Sequence, residues 1–161
     1  MVRTYARSLK GTRAYGTIAC SHWTRLTVLG ALGTEGILAA MSIEAATDAA
    51  VFCAFLAHVL LPALRQHKPD AVLVMDNLSA HKAKAVREFL DRSPFSYRYL
   101  PSYSPDLNPI ELAWAKMKGR LREIAARTAD ALHEALAPAL NAITPHDARG
   151  FFRHAGYARP N

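Results

Sequence analysis

The beginning of this chain is without acidic residues. None occurs before Glu35, while Arg3, Arg7, Lys10, Arg13 and Arg25 all fall in that stretch. Cysteine is scarce: Cys20 and Cys53 stand apart, with no CxxC pair to build a structural zinc site. Two lone cysteines suit free thiols in a reducing cytoplasm. The seven histidines form neither HxxxH nor HExxH. Met1 to Arg13 holds no apolar h-region, which excludes a secretory signal there. The longest apolar stretch, Ala49 to Leu61, is interrupted by His58 and reads as too short to span a bilayer.

What remains is an ordinary globular composition. The 161 residues are 51% hydrophobic and 20% charged, enough for one domain with a real core and unlike a disordered chain. A net charge of +7 points to an anionic partner, nucleic acid ahead of an acidic membrane surface. Charge alone leaves open a merely basic domain.

Met1 to Gly16 shows no period and reads as an arm. Thr17 to Cys20 and Leu26 to Leu32 are β-rich runs. The turn Gly33-Thr34-Glu35-Gly36 leads into a returning strand over Ile37 to Ile43, an antiparallel meander. Thr47 is placed to cap a helix from Asp48 to Arg65, with Val51, Phe55, Leu56, Val59 and Leu60 on its apolar face. Pro62 is expected to kink or end it. The run 71–75 (AVLVM) reads as a strand buried on both faces. Ser79 is placed to cap a helix over Ala80 to Leu90, and Phe95 to Leu100 alternates as a further strand. After the Pro/Ser/Asp loop 101–108, helices are expected over Pro109 to Arg127 and Asp130 to Ile143, then an aromatic and basic tail from Gly150. Strands first, then strands alternating with helices, predict an α/β or α+β fold with a mixed sheet.

Two acids carry the chemical interest. Asp76 ends the run 71–75, at the strand edge where open α/β sheets bind ligands. A strand-end Asp is also common in turns and caps. Glu111 follows Asn108 at the N-cap and Pro109 at the first helical position, so it also reads as a capping residue. Ile110, Trp114, Met117, Leu121 and Ile124 fall within about 40° of one stripe, expected to be the core face. Glu111 lies about 100° off that stripe, on the side of Ala115, Lys118 and Arg122. A metal-binding carboxylate flanked by phosphate-binding cations has this pattern, and so does a solvated helix face.

The text around both acids favours the first reading. Leu100 to Glu111 (LPSYSPDLNPIE), followed by Trp114 and Lys118, resembles the signature of DDE transposases, in particular those of bacterial insertion sequences related to the mariner superfamily. The resemblance takes in Val74-Met75-Asp76-Asn77 and His81, with thirty-four residues between Asp76 and Glu111. It implies an RNase H-like fold, a mixed five-stranded sheet flanked by helices, with Asp76 and Glu111 as the second and third catalytic acids and metal ligands. It further implies two divalent cations, Mg2+ or Mn2+, and DNA as partner, both transposon ends and target. His81, Lys118 and Arg122 become DNA-contact candidates, with His81 also placed to support the site. A homodimer, or a complex with full-length transposase, and a cytoplasmic, nucleoid-associated location follow from the same resemblance.

The chain departs from the family pattern in one respect. The family's first aspartate lies on a first strand upstream of a segment resembling Arg3 to Gly16, and Glu35, Glu44 and Asp48 do not match it. Residues 1–161 are therefore expected to be a partial catalytic domain without the first strand or the N-terminal helix-turn-helix region, leaving a gap or exposed edge in the sheet. The alternative is a catalytically inactive DNA-binding or transposase-partner module from a truncated or frameshifted element.

Overall fold

A computed structural model describes residues 7–15, 26–126 and 128–157. The expected strand Thr17 to Cys20, the connection Ser21 to Arg25, and residues 158–161 lie outside that set. β1 (Thr27–Gly33) and β2 (Gly36–Ile43) form the antiparallel hairpin expected, with Gly36 at φ +118° in the turn, where a side chain would be strained. β3 (Leu73–Met75) pairs in parallel with β4 (Tyr97–Tyr99). The two pairs are separate two-stranded sheets among the described residues, not one continuous mixed sheet.

Period-two alternation distributes β1 between two cores. Leu29 enters the larger core with Phe52, Phe55, Leu56, Leu60, Leu61 and Leu64, while Val28 packs against a second cluster of Met117, Leu121, Ala135, Leu136 and Ala139. The first core lies under the helices before β4, and the second under those after it. Gly30 serves a close approach: a Cβ there would meet the Trp114 ring at 2.6 Å.

The first helical stretch differs from expectation in three ways. Its cap is Asp48, whose Oδ1 accepts from the Val51 N–H at 2.8 Å, not Thr47. It also passes through Pro62. α1 (Ala49–Phe55) runs into a π-helical turn (Leu56–Leu60), where the Leu61 N–H reaches back five residues to the Leu56 carbonyl, and then into α2 (Leu61–His67). The wider turn relieves the collision a proline makes with the carbonyl four residues earlier, so the helix continues. Thirdly, the resulting 19-residue span Ala49–His67 has mean hydropathy 1.5 and is long and apolar enough by composition to cross a membrane. In this fold its apolar side lies in the larger core.

Other boundaries also move. α3 spans Lys84–Asp91 with Ala83 at its N-cap, so His81 sits in the preceding turns, not on a helix capped by Ser79. The run 71–75 is not buried on both faces: Val74 is 44% exposed between buried Leu73 and Met75, and Val72 just before β3 is 56% exposed. α4 (Pro109–Ile124) buries Ala113, Met117 and Leu121, whereas Ile124 is exposed and Ile110 and Trp114 are half-buried. The core stripe is rotated from the expected one, yet Glu111, Lys118 and Arg122 remain exposed. α5 (Ala129–Asn141) packs on α4.

The expected tail begins inside a helix, α6 (Pro145–His154), which takes in Gly150 to His154. Thr144 and Asp147 form a reciprocal capping box, and Lys116 of α4 donates to the same Asp147 carboxylate. Arg149 binds both oxygens of Glu35 at 2.8 and 3.0 Å, tying α6 to the β1–β2 turn. Lys116, then Thr144, hold the Asp147 carboxyl well below the usual carboxylate range, and Arg149 lowers that of Glu35. Both groups titrate lower folded than unfolded. Their contribution is therefore complete above about pH 4–4.5 and is lost as pH falls toward the folded values. Urea unfolding should show stability declining from about pH 4 downward, less steeply in Asp147→Asn. At neutral pH, Thr144→Ala should cost about 1 kcal/mol.

Candidate active site

Asp76 follows the last residue of β3, and its Oδ1 accepts from the Leu78 N–H at 3.0 Å, closing an Asx turn. His81 Nδ1 lies 2.7 Å from the same oxygen but off the line of a hydrogen bond. The imidazole is largely buried against Phe52, with ring centroids 4.1 Å apart, and the Tyr99 hydroxyl donates to the His81 carbonyl at 2.9 Å. His81 thus turns toward Asp76 and leaves little ring surface for an external strand of DNA. Oδ2 of Asp76 makes no hydrogen bond among the described residues, and this side chain is half exposed.

The next residue fixes the position of the acid. The Leu100 N–H donates to the Met75 carbonyl at 2.8 Å, and the Asn77 side-chain amide donates to the Leu100 carbonyl. The end of β3 is therefore clamped to the start of the loop 101–108, which carries a short 3-10 turn (Pro105–Leu107) before Asn108 and α4.

Glu111 stands in the first turn of α4, exposed, and its carboxylate has no hydrogen bond or ion pair among the described residues. Asn108 occupies the N-cap without a side-chain capping bond. The capping interpretation of Glu111 is therefore not realised in its side-chain contacts. Asp76 and Glu111 line one cavity of about 390 Å³, together with Asn77, Lys82, Ser102 and Tyr103. Lys118 and Arg122 follow Glu111 along the same exposed side of α4, within about 20° of it by helical phase.

The donor set suits a hard divalent cation, which prefers oxygen ligands and uses one or two carboxylates. Asp76 offers one free oxygen and Glu111 two. Among the described residues no three His, Cys, Asp or Glu side chains converge as a complete metal cage. Lys82 and Tyr103 were given no role by the sequence. Lys82 stands out only by its place beside His81, and the φ of +56° that Tyr103 adopts, fully exposed, leaves no sequence signature. Asn77→Ala should remove the clamp and lower stability by about 1 kcal/mol in denaturant unfolding, with a loss at least as large in the isosteric Asn77→Asp, whose carboxylate cannot donate to the Leu100 carbonyl.

A profile of the family described as DDE superfamily endonuclease matches residues 1–133. The transposable element Tc1 transposase of Caenorhabditis elegans is 40% identical over 72 residues, covering 45% of this chain and 26% of that protein. The Mos1 transposase paired-end complex with left transposon end superposes with a TM-score of 0.77 at 20% identity, over 94% of this chain and 46% of that one. The structure of the Mos1 transposase catalytic domain and Raltegravir with Mg gives 0.66 at 22% identity, over 74% and 64%. The chain thus spans about a quarter of the Tc1 protein and about half of the paired-end chain. The structural matches carry the RNase H-like fold, a mixture of helices and small sheets. With most of its length inside the family profile, this chain belongs to the DDE superfamily endonucleases.

Proposed function

We propose that residues 1–161 form part of a transposase catalytic domain that cleaves DNA at transposon ends and joins those ends to target DNA. The observation that carries this reading is the common cavity of Asp76 and Glu111. One acid is braced at a strand end and the other is unpaired at a helix start. The two carboxylates would hold Mg2+ or Mn2+, which when bound activates the attacking oxygen and stabilises the leaving one. The Mos1 catalytic domain described with Mg supports the choice of a divalent ion.

In this reading Asp76 and Glu111 are the catalytic acids, and His81 holds the Asp76 side chain in place. Lys118 and Arg122 contact DNA phosphates beside the cavity. The Mos1 complex with a transposon end supports DNA as the substrate class. The SPDLNPIE block favours a bacterial insertion sequence, acting in the nucleoid as a homodimer or with full-length transposase. The two-metal site is incomplete with these carboxylates alone, since two acids, not three, share the cavity among the described residues. That same shortfall favours the second reading, a DNA-binding or transposase-partner module without catalysis.

Titrated with Mn2+, the chain should bind the ion through both acids. Asp76→Ala or Glu111→Gln should weaken binding by more than the roughly 10–100-fold that losing a residue behind a metal ligand costs. Unchanged affinity in both variants would remove the shared-metal assignment. Magnesium-dependent nicking lost in Asp76→Ala favours the enzyme. DNA binding without nicking, weakening steeply with salt, favours the module. In either case Lys118→Ala and Arg122→Ala should each reduce the salt slope by about 1.

A further inference from the structure

Two side chains at the cavity of the acids have no partner in the fold. Lys82 and Tyr103 both line the space of about 390 Å³ that Asp76 and Glu111 share. Lys82 is exposed and forms no ion pair among the described residues. Its backbone is nevertheless fixed. The His81 and Lys82 N–H groups both donate to the Leu78 carbonyl, at 3.0 and 3.2 Å, and the Leu78 N–H donates in turn to Asp76 Oδ1. The Lys82 ammonium therefore hangs from the same turn that braces the acid.

Tyr103 is held differently, by strain. Its φ of +56° lies in the left-handed region, which a bulky L side chain rarely enters. Pro101 and Pro105 restrict the chain on either side, and the Ser104 hydroxyl donates to the Ser102 carbonyl across it at 3.3 Å. The outcome is a ring 102% exposed at the rim of the cavity. The hydroxyls of Tyr97, Tyr99 and Tyr157 each find an acceptor, whereas that of Tyr103 makes no hydrogen bond among the described residues. Nor does its ring stack on another aromatic there. Strained backbone of this kind gathers at ligand clamps, where the bound partner uses what the fold does not.

We infer that Tyr103 is a base-stacking platform: an unpaired nucleotide beside the bond to be cut enters this cavity, lays its base on the Tyr103 ring and sets its phosphate against Lys82. This rests on the transposase reading above and adds where the strand lies in the site. A flat apolar face, a free ammonium and two carboxylates suited to a hard cation are matched together by a nucleotide, which carries a π face and a phosphate on one unit. The cavity falls within the roughly 300–1,000 Å³ range that holds small molecules. Bases inside a duplex are stacked on one another and offer Tyr103 no face. The nucleotide therefore comes from a strand end or is splayed out of the helix. Stacking accepts any base, so the platform sets position and not sequence.

The test measures affinity of the full chain, without metal, for three DNA probes. One duplex carries a single unpaired nucleotide at its 3′ or 5′ end, a second carries an abasic unit there, and a third is blunt. In at least one polarity the unpaired base should bind more tightly than its abasic counterpart. Tyr103→Ala should weaken binding of that probe about fivefold or more and leave the abasic and blunt duplexes unchanged. Tyr103→Phe should keep the advantage of the base. Tyr103→Gly, which accepts the positive φ without strain, should lose it as Tyr103→Ala does, so the effect belongs to the ring and not to the loop. Lys82→Ala should weaken the base and abasic overhangs alike and lower the salt slope by about 1. Equal affinity of the native chain for base and abasic overhangs overturns the inference, as does a Tyr103→Ala loss that persists on the abasic probe. Indifference to Lys82→Ala removes the phosphate contact. Salt-sensitive DNA binding that ignores the overhanging base overturns this inference and leaves the transposase reading standing, whereas absence of all DNA binding overturns both.

Discussion

The placement of both acids depends on a short parallel ladder. β3 and β4 are three residues each, and the pair would be weak on its own. Two bonds beyond the ladder lengthen it: the Leu100 N–H to the Met75 carbonyl, and the Asn77 amide to the Leu100 carbonyl. These fix where Asp76 stands relative to the chain that leaves β4. That chain turns through Pro101 to Leu107 and enters α4 at Pro109, where a fixed φ suits the first helical position. Glu111 is thereby delivered to the cavity that Asp76 already lines. The motif text therefore encodes a connection as much as a pair of acids, since its prolines and Asn108 set the path between them.

Local chemistry made much of this legible in the sequence. The β1–β2 hairpin, the strand before Asp76, and helices starting at Pro109 and near Asp130 follow from turn residues, period and capping, and the structure contains them. The family and its fold were legible from the spacing of the acids and the SPDLNPIE block. What was not legible required tertiary information. Pro62 reads as a helix stop until a π turn with packed neighbours makes room for it. Ser79 reads as a cap, but the turns holding His81 against Phe52 delay the helix to Lys84. The α4 stripe was misphased because Ile110 and Trp114 line a cavity beside β1 and β3, while Ala113, too small to weigh in a hydrophobic count, is fully buried. The tail from Gly150 looked irregular because the cap organising it, Thr144 with Asp147, lies upstream and is reinforced by Lys116 from another helix.

The distribution of charge separates scaffold from surface. Lys116 and Arg149 are used internally, against Asp147 and Glu35, and hold α6 to α4 and to the hairpin turn. Lys118 and Arg122, on the same helix as Lys116, are exposed and are not among the ion pairs of the described residues. A net charge of +7 thus contains cations that cannot meet DNA without loosening the fold, and others free to do so. The same division applies to the acids: Asp147, Glu35 and Asp48 are engaged in structure, while Glu111 is not.

The split sheet bears differently on binding and on chemistry. Phosphate attraction by exposed cations tolerates ångström-scale disorder, because screened charge interactions vary slowly with distance. A catalytic metal site does not, since its ligands must be held within about 0.5 Å by elements that are themselves fixed. Asp76 hangs from a three-residue strand that pairs with β4 alone among the described residues, and Val74 within it is 44% exposed. The bonds that Asn77 and Leu100 make at the end of β3 therefore matter more to any chemistry at Asp76 than to binding through the exposed cations.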